Sequence, residues 1–202
     1  MARCCIEKPF IGYLDLSIKG PDMVYRFKVP LDRVGVLIGK NGDTLRHLRE
    51  EGKTDIEVDS ETGEVILVDD LSDDPYLSFR MRDVLRAIGR GFSPENALKL
   101  LDDDYYYEEF DIRDFSGKSR KRIMQVRSRL IGSGGKTRRL IEDLTDCQIS
   151  IKGNTAAIIG DIEGLKVASK AVMMILNGSE HSSVYSFMER KRKDLKIARW
   201  GF

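Results

Sequence analysis

Two short segments of this chain have the composition of an anion clamp. Gly39-Lys40-Asn41-Gly42 and Gly132-Ser133-Gly134-Gly135 each follow a Leu-Ile pair, and each has a threonine two residues past its last glycine. Glycine lacks a Cβ, so such a turn reaches left-handed backbone angles and lets its peptide N–H groups approach a phosphate closely. A helix starting at the turn would add its unpaired N-terminal amides and the positive end of its dipole to the same site. Cations flank both segments: Arg33, Lys40 and Arg46 around the first, Arg127, Arg129, Lys136, Arg138 and Arg139 around the second.

A lone Gly-x-x-Gly is a weak signal, because 18 glycines in 202 residues yield about one or two such pairs by chance. The surroundings repeat as well. A constant offset of 93 lays Leu37–Thr44 over Leu130–Thr137, carries Leu48 onto Ile141, and carries Ile56 and Val58 onto Ile149 and Ile151. Two copies of one supersecondary pattern in a chain of this length predict two compact units.

The elements that must position the turns read alike in both copies. In the first, the alternating residues Val24 to Val29 predict a strand, and Pro30 and Asp32 open a helix that runs into the glycine turn. A second helix follows over Asp43 to Glu51, then strands Asp55 to Asp59 and Glu64 to Val68, then a helix entered through Asp74-Pro75 with Leu77, Met81, Val84, Leu85 and Ile88 on its core face. The second copy reads as strand Tyr106 to Ile112, helix Ser119 to Ile131, the turn, helix Lys136 to Thr145, strands Gln148 to Ile151 and Ala156 to Ile159, and helix Ile162 to Leu176, which is stopped at Asn177-Gly178. Between them, Ser93-Pro94 opens a short amphipathic helix bearing Ala97, Leu98 and Leu101 that should fix one unit against the other.

Net charge is +1, but the signs are segregated. Leu101 to Asp114 holds seven acids and one base, whereas Gly117 to Ile141 holds nine bases and no acid. A second basic cluster, Arg190 to Lys193 with Lys196 and Arg199, lies near the end of the sequence, where it either extends an anion track or solvates a terminal helix. Nine uncompensated cations repel one another unless an anion lies nearby, so the stretch predicts an anionic ligand.

The order strand, helix, Gly-x-x-Gly, helix, strand, strand, helix resembles the eukaryotic-type (type I) KH domain in both copies. Gly91-Phe92-Ser93-Pro94-Glu95-Asn96-Ala97, Leu100-Leu101-Asp102-Asp103 and Gly132-Ser133-Gly134-Gly135-Lys136-Thr137 are similar to the archaeal members of the partner-of-Nob-one ribosome-assembly family, a resemblance covering roughly Val24 to Tyr185. It implies an α+β chain of two tandem type I KH domains, each β-α-α-β-β-α, joined by a short helical connector. The expected division is an N-terminal segment (1–22), a first KH domain (23–91), the connector (92–104), a second KH domain (105–178) and a basic C-terminal tail (179–202). The implied ligand is single-stranded RNA, the 3′ region of small-subunit ribosomal RNA, bound during ribosome maturation or translation initiation. The implied protein partners are the α subunit of translation initiation factor 2 and the Nob endonuclease, which performs the cleavage. In KH domains the glycine turn clamps about four backbone nucleotides while bases lie over an apolar groove. Carried onto this sequence, that gives Arg33, Gly39, Lys40, Asn41, Gly42 and Arg46 in the first domain. In the second it gives Arg127, Arg129, Gly132, Ser133, Gly134, Gly135, Lys136, Arg138 and Arg139, with Ile149 and Ile151 along the groove. The first copy keeps an intact Gly39-Lys40-Asn41-Gly42, which eukaryotic relatives lack, and the resemblance is read only as far as Tyr185, short of the basic tail.

Other chemistries fit poorly. Gly135-Lys136-Thr137 copies the end of a nucleotide-binding loop, but that motif needs a glycine where Leu130 stands and a preceding strand where a basic amphipathic segment stands. His47 and His181 have no nucleophile constellation, and Cys4, Cys5 and Cys147 lack metal-site spacing, so no catalytic residue, metal or cofactor is expected. Cys147 reads as a small buried apolar residue. No apolar run approaches the roughly 20 residues of a membrane span, so no membrane contact and a cytoplasmic location are expected. The rival reading is a protein-protein adaptor in ribosome assembly whose KH folds hold no RNA, with Asp102 to Asp111 and Tyr105 to Tyr107 as its docking face; the alternative for those tyrosines is an edge strand packed on one side.

Overall fold

A computed structural model describes residues 23–69, 75–117 and 119–200. The segment 1–22 with Cys4 and Cys5, and the helix cap at Asp74, lie outside the described residues. The first unit runs β1 (Met23–Lys28), α1 (Leu31–Ile38), α2 (Asp43–Gly52), β2 (Asp55–Val58), β3 (Glu64–Asp69) and α3 (Pro75–Gly89). The connector is α4 (Pro94–Leu98), continued by one 3-10 turn, Lys99–Leu101. The second unit runs β4 (Tyr105–Asp111), α5 (Ile112–Ser116), α6 (Arg120–Ile131), α7 (Lys136–Thr145), β5 (Gln148–Lys152), β6 (Thr155–Asp161), α8 (Ile162–Leu176) and α9 (His181–Trp200). Each unit has a three-stranded antiparallel sheet, ordered β1-β3-β2 and β4-β6-β5. Two α+β units are therefore present, as the repeat predicted, in the order that the resemblance to type I KH domains implies.

Period-2 alternation turns one face of each sheet onto its own helices. In the first unit Ile56 and Leu67 meet Leu37, Leu48, Met81, Leu85 and Ile88, all fully buried. In the second, Ile149, Ala156 and Ile158 meet Leu130, Ile141, Ala168, Val172 and Ile175, with Cys147 buried among them. Helix starts carry local instructions. Asp161 accepts the Gly164 amide at 2.6 Å to open α8, and Ser93 accepts that of Asn96 ahead of Pro94, each cap being worth about 1 kcal/mol.

Two elements go beyond the repeated pattern. The strand expected to continue to Ile112 stops at Asp111, whose carboxylate accepts the Arg113 amide at 2.8 Å and starts α5, a short helix ended by Gly117 at φ 67°. Residues 181–200, within the stretch read as a basic tail, form α9, and its Val184 and Met188 are buried in the second core. Packing thus crosses the expected boundary at 178/179, because the apolar positions 184, 188 and 195 recur at helical spacing beneath the charge run. No helix among the described residues is long and apolar enough to cross a membrane.

The second sheet is buried on both faces. β6 is buried from Thr155 to Gly160: Ala156 and Ile158 point into their own core, and Ala157 and Ile159 join the core of the first unit with Phe92, Ala97 and Leu100. Tyr105 and Tyr107 pack there too, so β4 is an edge strand with tyrosines on an internal face, and most of the docking face proposed for an adaptor is used within the chain. Polar contacts reinforce the joint. Glu109 accepts the Tyr107 hydroxyl at 2.8 Å and pairs with Arg86 and Arg90. Ser150 donates to the Arg90 carbonyl at 2.7 Å, Gln148 donates to Asn96 at 2.9 Å, and Lys152 pairs with Asp32 at 2.5 Å. Burial alone would raise the Glu109 carboxyl pKa, but the two guanidinium groups and the tyrosine hydroxyl outweigh it and hold the group below its usual value.

Candidate nucleic-acid interface

The two glycine turns are the same object built twice. Gly39 and Gly132 stand at φ 78° and 74° with extended ψ, Asn41 and Gly134 at φ 55° and 57°, and Gly42 and Gly135 at φ 81° and 80°. Only the glycines and asparagine accept this run of left-handed angles at low cost. α2 and α7 begin on the next residue, so each turn abuts a helix N-terminus whose first amides lack intrahelical acceptors.

The glycines within a turn differ in why they are needed. A Cβ on Gly132 would lie 2.7 Å from the Thr137 amide nitrogen, and one on Gly39 would lie 2.7 Å from that of Thr44. Here the helix backbone excludes any side chain. At Gly134 and Gly42 nothing lies within 4 Å of an added Cβ, and at Gly135 the nearest atoms belong to the flexible Arg139 side chain. These inner glycines leave open space above the turn, where a ligand's backbone would lie.

The expected cations separate into three groups. Arg33 donates to the carbonyls of Ile88 and Phe92, and Arg129 to those of Ile175 and Ser179. Both fasten the C-terminal end of α3 or α8, where unpaired carbonyls and the negative dipole end attract a guanidinium. They are therefore withdrawn from the anion site, a correction to the sequence reading. Arg46, Arg138 and Arg139 are partly tethered: Arg46 to Asp43 at 3.4 Å, Arg138 to Glu142 at 3.6 Å and weakly to the Ile149 carbonyl, and Arg139 to the Gly134 carbonyl. Lys40, Arg127 and Lys136 are exposed and form no ion pair among the described residues.

The groove residues also divide. Ile149 is 4% exposed and belongs to the core, which corrects its assignment to the groove surface, while Ile151 at the end of β5 is half-buried. Leu130 and Leu37 are likewise core, whereas their neighbours Ile131 and Ile38 stay half-buried beside the turns. Alternation put Ile149 and Ile151 on one face, but depth along that face depends on how far α7 covers it, which spacing does not encode.

Two features of the site escaped the sequence reading. Buried Thr137 shares a 2.9 Å hydrogen bond with the Tyr185 hydroxyl of α9, and Tyr185 stacks on His181, whose ring contacts the Arg129 carbonyl at 2.9 Å. α9 thereby braces the second turn from behind. The other is the contrast in charge at the first residue of the helix after each turn, Asp43 in α2 against Lys136 in α7. On matching backbones, one turn presents a carboxylate and the other an ammonium.

A model of the eukaryotic-type (type I) KH domain matches residues 106–193, a span that takes in most of α9, and a KH-domain model matches residues 24–71. A KH domain-containing protein of Methanocaldococcus jannaschii is 44% identical over 173 residues, covering 86% of this chain and 76% of that protein. Crystal-structure matches include Dim2p from Pyrococcus horikoshii, 40% identical with a TM-score of 0.75 over 83% of this chain and 99% of that one. A complex described as a/eIF2alpha-aDim2p-rRNA from the same organism matches at 39% identity and TM-score 0.79, covering 88% and 98%. A protein of unknown function from Aeropyrum pernix matches at 32% identity and TM-score 0.81, covering 90% and 96%. With the tandem architecture and the paired glycine turns, these likenesses mean that the chain belongs to the archaeal tandem KH-domain proteins of the partner-of-Nob-one (Dim2p) family.

Proposed function

We propose that this chain is a non-catalytic protein that binds single-stranded RNA, namely the 3′ region of small-subunit ribosomal RNA, during ribosome maturation or translation initiation. The second unit carries the affinity. Its turn (Gly132, Ser133, Gly134, Gly135) and the start of α7 receive the phosphates. Lys136 and Arg127 add charge, Arg138 and Arg139 swing toward the ligand from their present tethers, and Ile131 with Ile151 floors the groove for bases. The observation that carries this reading is Lys136 at the first position of α7, where the otherwise matching first turn has Asp43. A carboxylate beside the amides repels phosphate and an ammonium attracts it, so the two turns have opposite preferences. The first unit, with Gly39, Lys40, Asn41, Gly42 and Arg46, holds RNA weakly and is free to serve a protein partner. The archaeal relative crystallised with an initiation-factor α subunit and rRNA supports that pairing of ligands; the Nob endonuclease is the second partner proposed, on family resemblance.

The test is fluorescence anisotropy with a labelled single strand copying the 3′ end of small-subunit rRNA, over a range of salt concentrations. Lys136→Asp is expected to weaken binding by about 10-fold to 100-fold and to lower the slope of log K against log salt by about 0.7 per lost phosphate contact. Asp43→Lys is expected to strengthen binding, with a steeper slope. Equal affinity of wild type and Lys136→Asp would sink the reading. Equal affinity for a scrambled strand would remove the 3′-end assignment while leaving RNA binding intact.

A further inference from the structure

The second unit has an extra cationic element that the four-nucleotide clamp does not use. α1 spans eight residues and carries one cation, Arg33, which is spent on the end of α3. Its counterpart α6 spans twelve, with Arg120, Lys121, Arg122, Arg127 and Arg129 and no acid. The added length lies at the N-terminal end, away from the turn, and α5, which has no counterpart in the first unit, packs against α6. Arg120, Met124 and Arg127 are spaced four and three residues apart and fall in one stripe that ends at half-buried Ile131, next to Gly132. Lys121 stands beside that stripe. All four are exposed, Met124 at 61%, and Arg120, Lys121 and Arg127 have no ion-pair partner among the described residues.

A run of like charges on one helix is destabilising by a few tenths of a kcal/mol per pair, so an uncompensated stripe asks for a counter-charge from outside the chain. Its continuity with the glycine turn identifies that counter-charge. We infer that the N-terminal half of α6, through Arg120, Lys121 and Met124, is a second RNA contact that carries the strand beyond the clamp. The two cations take backbone phosphates, and the Met124 thioether packs on a base. At about 1.5 Å per residue, α6 is roughly 18 Å long, which leaves room for several nucleotides outside the groove. This inference rests on the proposed RNA site at the second turn.

Two ligands separate it from that site: a four-nucleotide RNA that fills only the clamp, and one of about twelve nucleotides. The double variant Arg120→Gln/Lys121→Gln is expected to bind the short RNA like wild type. On the long RNA its salt slope should fall by about 1.4, two contacts at 0.7 each, with a several-fold loss of affinity. Arg26→Gln/Lys28→Gln, which removes the same net charge from the exposed side of β1, should leave both slopes unchanged. A long-RNA slope unmoved by the α6 variant, or lowered equally by the β1 variant, overturns the track. Failure of the wild-type chain to bind either RNA overturns the clamp itself.

Discussion

Replacing Gly134 and Gly135 together by aspartate is expected to abolish RNA binding while leaving the fold standing. Both positions open to solvent: an added Cβ at Gly134 meets nothing within 4 Å, and at Gly135 it meets only the movable Arg139 side chain. Their left-handed angles strain an aspartate moderately: Asn41 already occupies the position equivalent to Gly134 at φ 55°, while Gly135 at φ 80° matches another glycine, Gly42. The stability loss should be about 1–2 kcal/mol, a shift of roughly 2–8 °C in melting temperature for a chain of this size. Against the ligand the effect is much larger, because two carboxylates then occupy the space meant for a phosphate. A loss of about 100-fold or more, near 2.7 kcal/mol, is expected. Calorimetry and anisotropy on the same sample decide the matter, with Gly132→Ala as the comparator. Adding one methyl there strikes the Thr137 backbone, so that variant should lose stability first and binding as a consequence. Wild-type affinity in the double aspartate variant would show that RNA, if bound, sits elsewhere.

How far the site was legible in the sequence follows from what each feature depends on. The turns were legible because a left-handed run needs glycine or asparagine wherever it occurs, and the repeat at offset 93 showed it twice. The helices beside the turns and the strands of the first unit were legible because their burial is one-sided and leaves a period, whereas β6, buried on both faces, reads as a continuous run of small and apolar residues. Arg33 and Arg129 were misread because a cation near a glycine turn looks the same in sequence whether it faces a phosphate or the carbonyl end of a helix more than 40 residues away. For α9, a terminal helix was one of two readings of Arg190 to Lys193, but its packing into the second core was hidden for a related reason. Arg190 to Lys193 dominate its composition, while the residues that seat it, Val184, Met188 and Leu195, are few and widely spaced. The Thr137–Tyr185 bond could have been suspected, since the threonine recurs at Thr44, but its partner lies 48 residues on and has no counterpart in the first unit.

The connector was expected to fix the two units together, and the structure gives that expectation an energetic form. Ile159 is 1% exposed, lies in the second sheet, and belongs to the core of the first unit. Burying such a side chain contributes about 1.5–3 kcal/mol, and an unpaired carboxylate in its place costs several kcal/mol more. Ile159→Asp is therefore expected to remove about 4 kcal/mol or more, a fall of at least 8–16 °C. The sharper expectation concerns what melts. Phe92, Ala97 and Leu100 lose their floor at the moment β6 loses its cover, and Glu109 then no longer holds Arg86 of α3 and Arg90 just past its end. Both units should unfold in one lowered transition. Hydrogen exchange should accelerate in the amides of β3 as much as in those of β6. If β3 keeps its protection while β6 is lost, the sheets are independent and the joint is a mere contact. If they fall together, the joint holds the second turn at a fixed distance from the first unit, so that an RNA in one and a protein partner on the other are held in register by a buried sheet rather than by a flexible linker.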